Sequence, residues 1–285
     1  SVSIELTKVK VRKATEKRDL LVVQTIQAMD DLDKTVNLFI NRIREWYGLH
    51  FPELNALVEK HETYARLVKD LGGKHNFTAE NLIKEGLPGD KAEEIAEVAE
   101  RSMGAEAFDK DMRQIQEMCE HTLQLYAARA SLEKYVAELM DEVAPNFSTL
   151  TGPALGARLI ALAGGLINLA KMPASTIQVL GAEKALFRSL KTGARPPKHG
   201  VIFQHTYIHE SKWSQRGRMA RALAGKLAIA ARIDAFSGRY VGDMLKADLE
   251  KRIQEIKEMP LKPKPKPMKP LKRRRKKRGE RKRER

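Results

Sequence analysis

Between residues 15 and 47 apolar side chains return every three or four positions. Val22, Ile26, Met29, Leu32, Val36, Phe39, Ile43 and Trp46 make one stripe, the spacing of a helix with a single buried face. Gly48 and Pro52 stop or bend that helix. A second helical stretch is predicted from Pro52 to Leu71, ended by Gly72 and Gly73. A polar hinge with Asn76, Asn81, Gly86, Pro88 and Gly89 then precedes two further helices, 90–102 and 105–143. In the last, Phe108, Met112, Ile115, Cys119, Thr122 and Tyr126 continue as Leu132, Val136, Leu139 and Val143. A 3-4 spacing held this long predicts coiled-coil packing against a partner helix, with an ordinary bundle helix as the alternative. Such a stripe is hard to bury in a compact bundle, so an extended arm that packs along itself, and across a dimer, is expected.

At Ala144-Pro145-Asn146 the pattern changes. Gly152, Gly156, Gly164 and Gly165 punctuate a small-residue helix that permits close helix approach. The segment 181–193, GAEKALFRSLKTG, reads as a short helix with a glycine at each end, the second placed as a cap. Lys184, Arg188 and Lys191 share one of its faces, while Leu186, Phe187 and Leu190 are expected to turn inward or sideways. Residues 195–200 (RPPKHG) form a rigid basic loop. Residues 214–236 make another amphipathic helix, with Arg216, Arg218, Arg221 and Lys226 near its start, and 243–259 a final helix of mixed charge. The fold class is all-α: an arm over 1–143, a compact helical domain over 144–259 and a tail over 260–285. Prolines and like charges forbid that tail from folding alone.

Charge sharpens this division. Residues 1–143 carry 20 Lys/Arg against 27 Asp/Glu, residues 144–260 carry 18 against 8, and residues 261–285 carry 15 against 2. The net charge of +16 therefore sits beside an acidic arm, which points to a polyanionic partner for one end of the molecule. Between Val143 and Glu210 the one carboxylate is Glu183, against seven cations, whereas a solvated face normally mixes signs. With one cysteine, Cys119, no intramolecular disulfide can form, and that residue reads as a small core side chain. The longest apolar run, 159–167, is far below the roughly 20 residues of a membrane span, so a soluble chain is expected.

Catalytic motifs find no foothold. GxxxxGK[ST], GxGxxG, GxSxG and HExxH do not occur. His205 and His209 stand four apart but have no evident third ligand, so a surface or core pair is the expectation and no metal or other cofactor is assigned. The chain is read as a binding protein and not an enzyme.

Several blocks in order resemble one family. They are residues 44–54 (REWYGLHFPEL), 144–146 (APN), 165–175 (GLINLAKMPAS), 181–188 (GAEKALFR) and 230–234 (AARID). Together they resemble the Nop family, scaffold proteins of box C/D guide ribonucleoproteins, and in particular its archaeal members, across about residues 15–258. The resemblance implies a coiled-coil domain that dimerises and a helical Nop domain. That domain recognises box C/D guide RNA at a kink-turn already occupied by a small ribosomal-protein-like protein. It implies a particle that 2′-O-methylates RNA, with fibrillarin as the methyltransferase. Family members hold fibrillarin on a separate α/β domain ahead of the coiled coil; this sequence begins near the coiled coil, so fibrillarin binding is not expected of it. Residues 181–188 correspond to the family's RNA-contacting helix. They place Gly181, Ala182, Glu183, Lys184, Ala185 and Arg188 at the RNA, with Leu186 and Phe187 closing the surface. Lys171, Gln178, Lys191 and Lys198 join them from charge and location. The compartment implied is the archaeal cytoplasm, or the nucleolus for a eukaryotic chain. A spliceosomal Nop-domain protein and a generic coiled-coil adaptor for polyanions are the alternatives.

Overall fold

The computed structural model describes residues 18–259; the basic tail expected over 260–285 lies outside the described residues, as do residues 1–17. Asp19–Tyr47 (α1) and Asp109–Val143 (α6) are the two long helices, and they run antiparallel along one another within the chain. Ion pairs mark the register: Arg18 with Glu142 at one end, Asp33 with Arg129 midway. At about 1.5 Å per residue α6 alone spans about 50 Å, so the arm is long and its coiled-coil partner is α1.

The arm's far end is closed by Leu54–Leu57 (α2), His61–Leu71 (α3), Ala79–Lys84 (α4) and Gly89–Glu100 (α5). The expected single helix over 52–71 is broken at Val58, whose backbone is extended. The Arg44 guanidinium, 4.3 Å above the Tyr64 ring, donates there to the carbonyls of Asn55, Val58 and Glu59. A continuous helix would use those acceptors itself, so the side chain competes with the helix and wins. Tyr47 and Phe51 are fully buried, and Tyr47 donates to the Gly72 carbonyl at 2.6 Å. His50 bridges two segments: its Nε2 accepts from Lys74 N–H at 3.0 Å, which leaves Nδ1 to donate to the Ala105 carbonyl at 2.7 Å. The block at 44–54 thus organises the arm's tip.

The apolar stripe of α1 is placed differently from expectation. Ile40 and Tyr47 occupy its core, while Phe39 is half-buried and Trp46 is 38% exposed. Phe108 likewise precedes α6 and is 80% exposed. Cys119 is buried among α1 and α3 side chains, and burial pushes its thiol up to about 12.

Beyond Ala144 the helices are Pro145–Thr151 (α7), Pro153–Ala163 (α8), Leu166–Lys171 (α9), Ala174–Val179 (α10), Glu183–Thr192 (α11), Thr206–His209 (α12), Arg216–Phe236 (α13) and Gly242–Glu258 (α14). No strand occurs among the described residues. α13 is the axis of this domain, packing against α7, α9, α10 and α14. Two separate cores result. One joins these helices to Val22–Met29 of α1 and Val136–Met140 of α6; the other fills the tip around Val36–Tyr47 and Met112–Cys119. Asp19 fastens the arm to the domain, its Oδ2 accepting from the Leu166 N–H at 3.0 Å at the start of α9. No helix among the described residues is long and apolar enough to cross a membrane.

Candidate nucleic-acid interface

α11 stands apart from the rest of the domain. Of its ten residues only Ser189 is buried. It is held by its base. Residues 178–181 and 198–201 run side by side, with the Gly200 N–H donating to the Gln178 carbonyl at 2.8 Å and the Val201 N–H to that of Leu180 at 2.9 Å. Gln178 adds a side-chain bond, Nε2 to the Lys198 carbonyl at 2.6 Å. Two glycines make the clasp possible. A Cβ on Gly200 would lie 2.0 Å from the Leu180 carbonyl oxygen, and Gly181 has φ +82° with Val201 packed where its Cβ would be. At the other end Gly193, at φ 69°, caps the helix, and Ser189 Oγ donates to the Ala194 carbonyl at 2.9 Å.

Lys184, Arg188 and Lys191 are all exposed on α11, and among the described residues none is in an ion pair. Glu183 instead folds back, its Oε1 accepting from the Gly181 N–H at 2.7 Å, so it serves the turn that launches the helix. Of the apolar residues expected to turn inward or sideways, none is buried. Leu186 is half-buried, but Phe187 is 61% and Leu190 73% exposed, because nothing among the described residues packs over them. Ala182 is half-buried and Ala185 exposed.

The clasp brings Gln178, Gly181 and Lys198 to the foot of α11, whereas Lys171 ends α9 and is exposed there. Lys198 carries its charge over an aromatic face: Nζ lies 3.6 Å from the Trp213 ring centroid, and that ring is 47% exposed. His199 stacks on Phe203 at 4.6 Å, and the Arg216 guanidinium sits 5.1 Å from the Phe203 ring. Burial, reinforced by Arg216 and Lys198, lowers the His199 pKa below the usual histidine value. Trp213, Phe203 and Arg216 had no place among the sequence-derived site residues. Their signal was weak, since only the fold joins the 198–203 loop to the start of α13. The arrangement offers fixed cations and exposed rings on a rigid base, which is chemistry for phosphates and bases.

Comparison with known proteins agrees with this geometry. The profile of the family described as "Nop: snoRNA binding domain, fibrillarin" matches residues 28–255. An uncharacterised NOP5 family protein of Methanocaldococcus jannaschii is 52% identical over 261 residues, covering 92% of this chain. Nucleolar protein 56 of Mus musculus is 42% identical over 264 residues, 90% of this chain. The chain spans 63% of the first relative's length and 46% of the second's. Among solved structures, the crystal structure of a fibrillarin/Nop5p complex contains a similar chain at 26% identity and a TM-score of 0.51, covering 89% of this chain and 75% of that one. With a matching profile over most of its length and a relative identical at 52% of aligned positions, the chain belongs to the Nop family.

Proposed function

We propose that this chain is a non-catalytic scaffold of an archaeal box C/D guide ribonucleoprotein that directs RNA 2′-O-methylation. In this reading α11 meets kink-turn RNA already occupied by a small ribosomal-protein-like partner. The observation that carries it is α11 itself, a helix with one buried residue, three cations free of carboxylates among the described residues, and a base clasped by backbone hydrogen bonds. A helix so bare gains little from its own protein, so its burial partner is a ligand. The matching family's description as a snoRNA binding domain supports RNA as that ligand. The solved structure pairing fibrillarin with a Nop5p chain supports fibrillarin as the methyltransferase of the particle. The arm adds a second copy of the chain, through apolar side chains left exposed along α1 and at the tip.

The test is assembly on kink-turn RNA, with and without the kink-turn-binding protein. Arg188→Ala should weaken the ternary complex by about 1–3 kcal/mol, because the planar guanidinium binds phosphate bidentately. Arg188→Lys should restore only part of that loss. Binding by Arg188→Ala equal to the unmodified chain would remove α11 from the interface. Equal affinity for RNA with and without the kink-turn protein would favour a generic polyanion adaptor instead.

A further inference from the structure

The basic surface does not end at α11. The Lys198 side chain lies against Gly217, so the clasp abuts the first turn of α13, and Arg216, Arg218 and Arg221 follow. Between α13 and α14 an open groove of about 190 Å³ is floored by Leu249 and Ile256 and rimmed by Arg218, Arg221, Lys226 and Arg252. The acidic groups that face it are few. Asp248 Oδ2 lies 3.2 Å from Lys226 Nζ, and Glu255 pairs with Arg252. Both carboxylates are more than half exposed (51% and 57%), where such pairs hold weakly and can exchange for a stronger anion. Arg218 reaches the Met259 sulfur at 3.4 Å, and among the described residues neither it nor Arg221 is in an ion pair.

We infer that this α13–α14 groove is a second phosphodiester-backbone site, gripping a helical stem of the RNA outside the kink that α11 engages. Two guanidinium forks unpaired with carboxylates suit phosphate oxygens, and a groove between two helices suits the ridge of a backbone more than a single free ion. Nothing in it is arranged to read a base, so its contribution is sequence-independent affinity. The inference rests on the proposed function and extends it to the surface between α13 and α14.

The experiment compares a minimal kink-turn RNA with one whose stems are extended, each bound with the kink-turn protein across a salt series. For Arg218→Ala/Arg221→Ala, affinity for the extended RNA should fall about tenfold. Its log–log salt slope should drop by about 0.9 for each phosphate that is no longer neutralised. Affinity for the minimal RNA and the melting temperature should stay as in the unmodified chain. Equal affinity and slope on the extended RNA would overturn the inference, and so would equal losses on both RNAs. A third overturning result is loss of binding to polyglutamate with RNA binding unchanged, since the groove would then serve an acidic protein. If the double variant melts early, Arg221→Gln alone, at an exposed position, gives the same reading. Failure of the unmodified chain to prefer kink-turn RNA would sink the proposed function instead. The groove would still be judged by the variants' salt slope on plain duplex RNA.

Discussion

Asn146 has no exposed surface, and every polar atom of its side chain is used. Nδ2 donates to Asp234 at 2.6 Å and to the Arg239 carbonyl at 2.8 Å, while Oδ1 accepts from the Val241 N–H. Asp234 in turn accepts from the backbone N–H groups of Asn146 and Phe147, closing the N-terminus of α7. Burial raises the Asp234 pKa against the opposing pull of these hydrogen bonds. Two of the family's blocks, APN and AARID, are thus a single lock between α7 and the end of α13. Asn146→Ala leaves several buried groups without partners and should cost on the order of 3 kcal/mol in urea unfolding; a loss below about 1 kcal/mol would mean water replaces the amide. His205 is a second lock, donating from Nε2 to the Leu150 carbonyl at 2.9 Å and accepting the Tyr207 N–H on Nδ1. Burial lowers its pKa, and those of His61 and His199 shift the same way. An unfolded histidine titrates near 6.5. Below that pH the unfolded chain takes up protons that the folded chain refuses. Stability is therefore full above about pH 6.5 and declines as pH falls towards the lowered folded values. The melting temperature should drop between pH 7.5 and 5.5, and His205→Ala should lower it at pH 7.5 while shrinking the pH-dependent part. An unchanged pH-dependent drop in that variant would show the protonation to be carried elsewhere.

Among the elements, those with one apolar phase were legible from the sequence and those with two were not. α6 and α13 follow the spacing of Ile115, Cys119, Val136 and Leu139, and of Met219, Leu223 and Leu227, all buried as that spacing requires. In α1 the neighbours Phe39-Ile40 and Trp46-Tyr47 offer two equally apolar faces, and the choice falls to α3, whose Tyr64 packs edge-on to Tyr47 at 6.2 Å. That pairing lies outside any local window. The break at Val58 was hidden for the same reason, since Arg44 imposes it from fourteen residues upstream. α11 was legible in its glycine ends and its cations. Its exposure was not, because it depends on Gly200 meeting Leu180, two segments of chain with no pattern in common. The family blocks were legible as a resemblance, but 44–54 proves to be scaffolding of the arm and lies in the tip core, apart from the domain that carries α11.

The whole molecule has an apolar surface that its own cores leave uncovered. Leu38 (68%), Trp46 (38%) and Leu49 (70%) lie along and beyond α1, and Met103 (91%) and Phe108 (80%) on the segment before α6. That segment is held rigidly, with Ser102 and the Met103 N–H bonded to Glu53 and Ala105 bonded to Leu49 and His50. A fixed display of large apolar groups fits a second copy. Leu38→Glu/Trp46→Glu, at exposed positions, should convert a dimer to a monomer in sedimentation without loss of helicity; an unmodified chain that is monomeric at micromolar concentration would refute the dimer. The two cores, meanwhile, share only α1 and α6, which cross the waist at the Asp33–Arg129 pair as antiparallel rails. The separation between the helical domain of α7–α14 and the tip is therefore a count of helical turns. Seven residues are nearly two turns, so gaining or losing seven in both rails moves the tip by about 10 Å and keeps each core facing its partners. A change of a single residue turns one core by about 100° against the other. The arm is in this sense a ruler graduated in near-whole turns, and its length keeps both cores in phase only in steps such as seven or eleven residues.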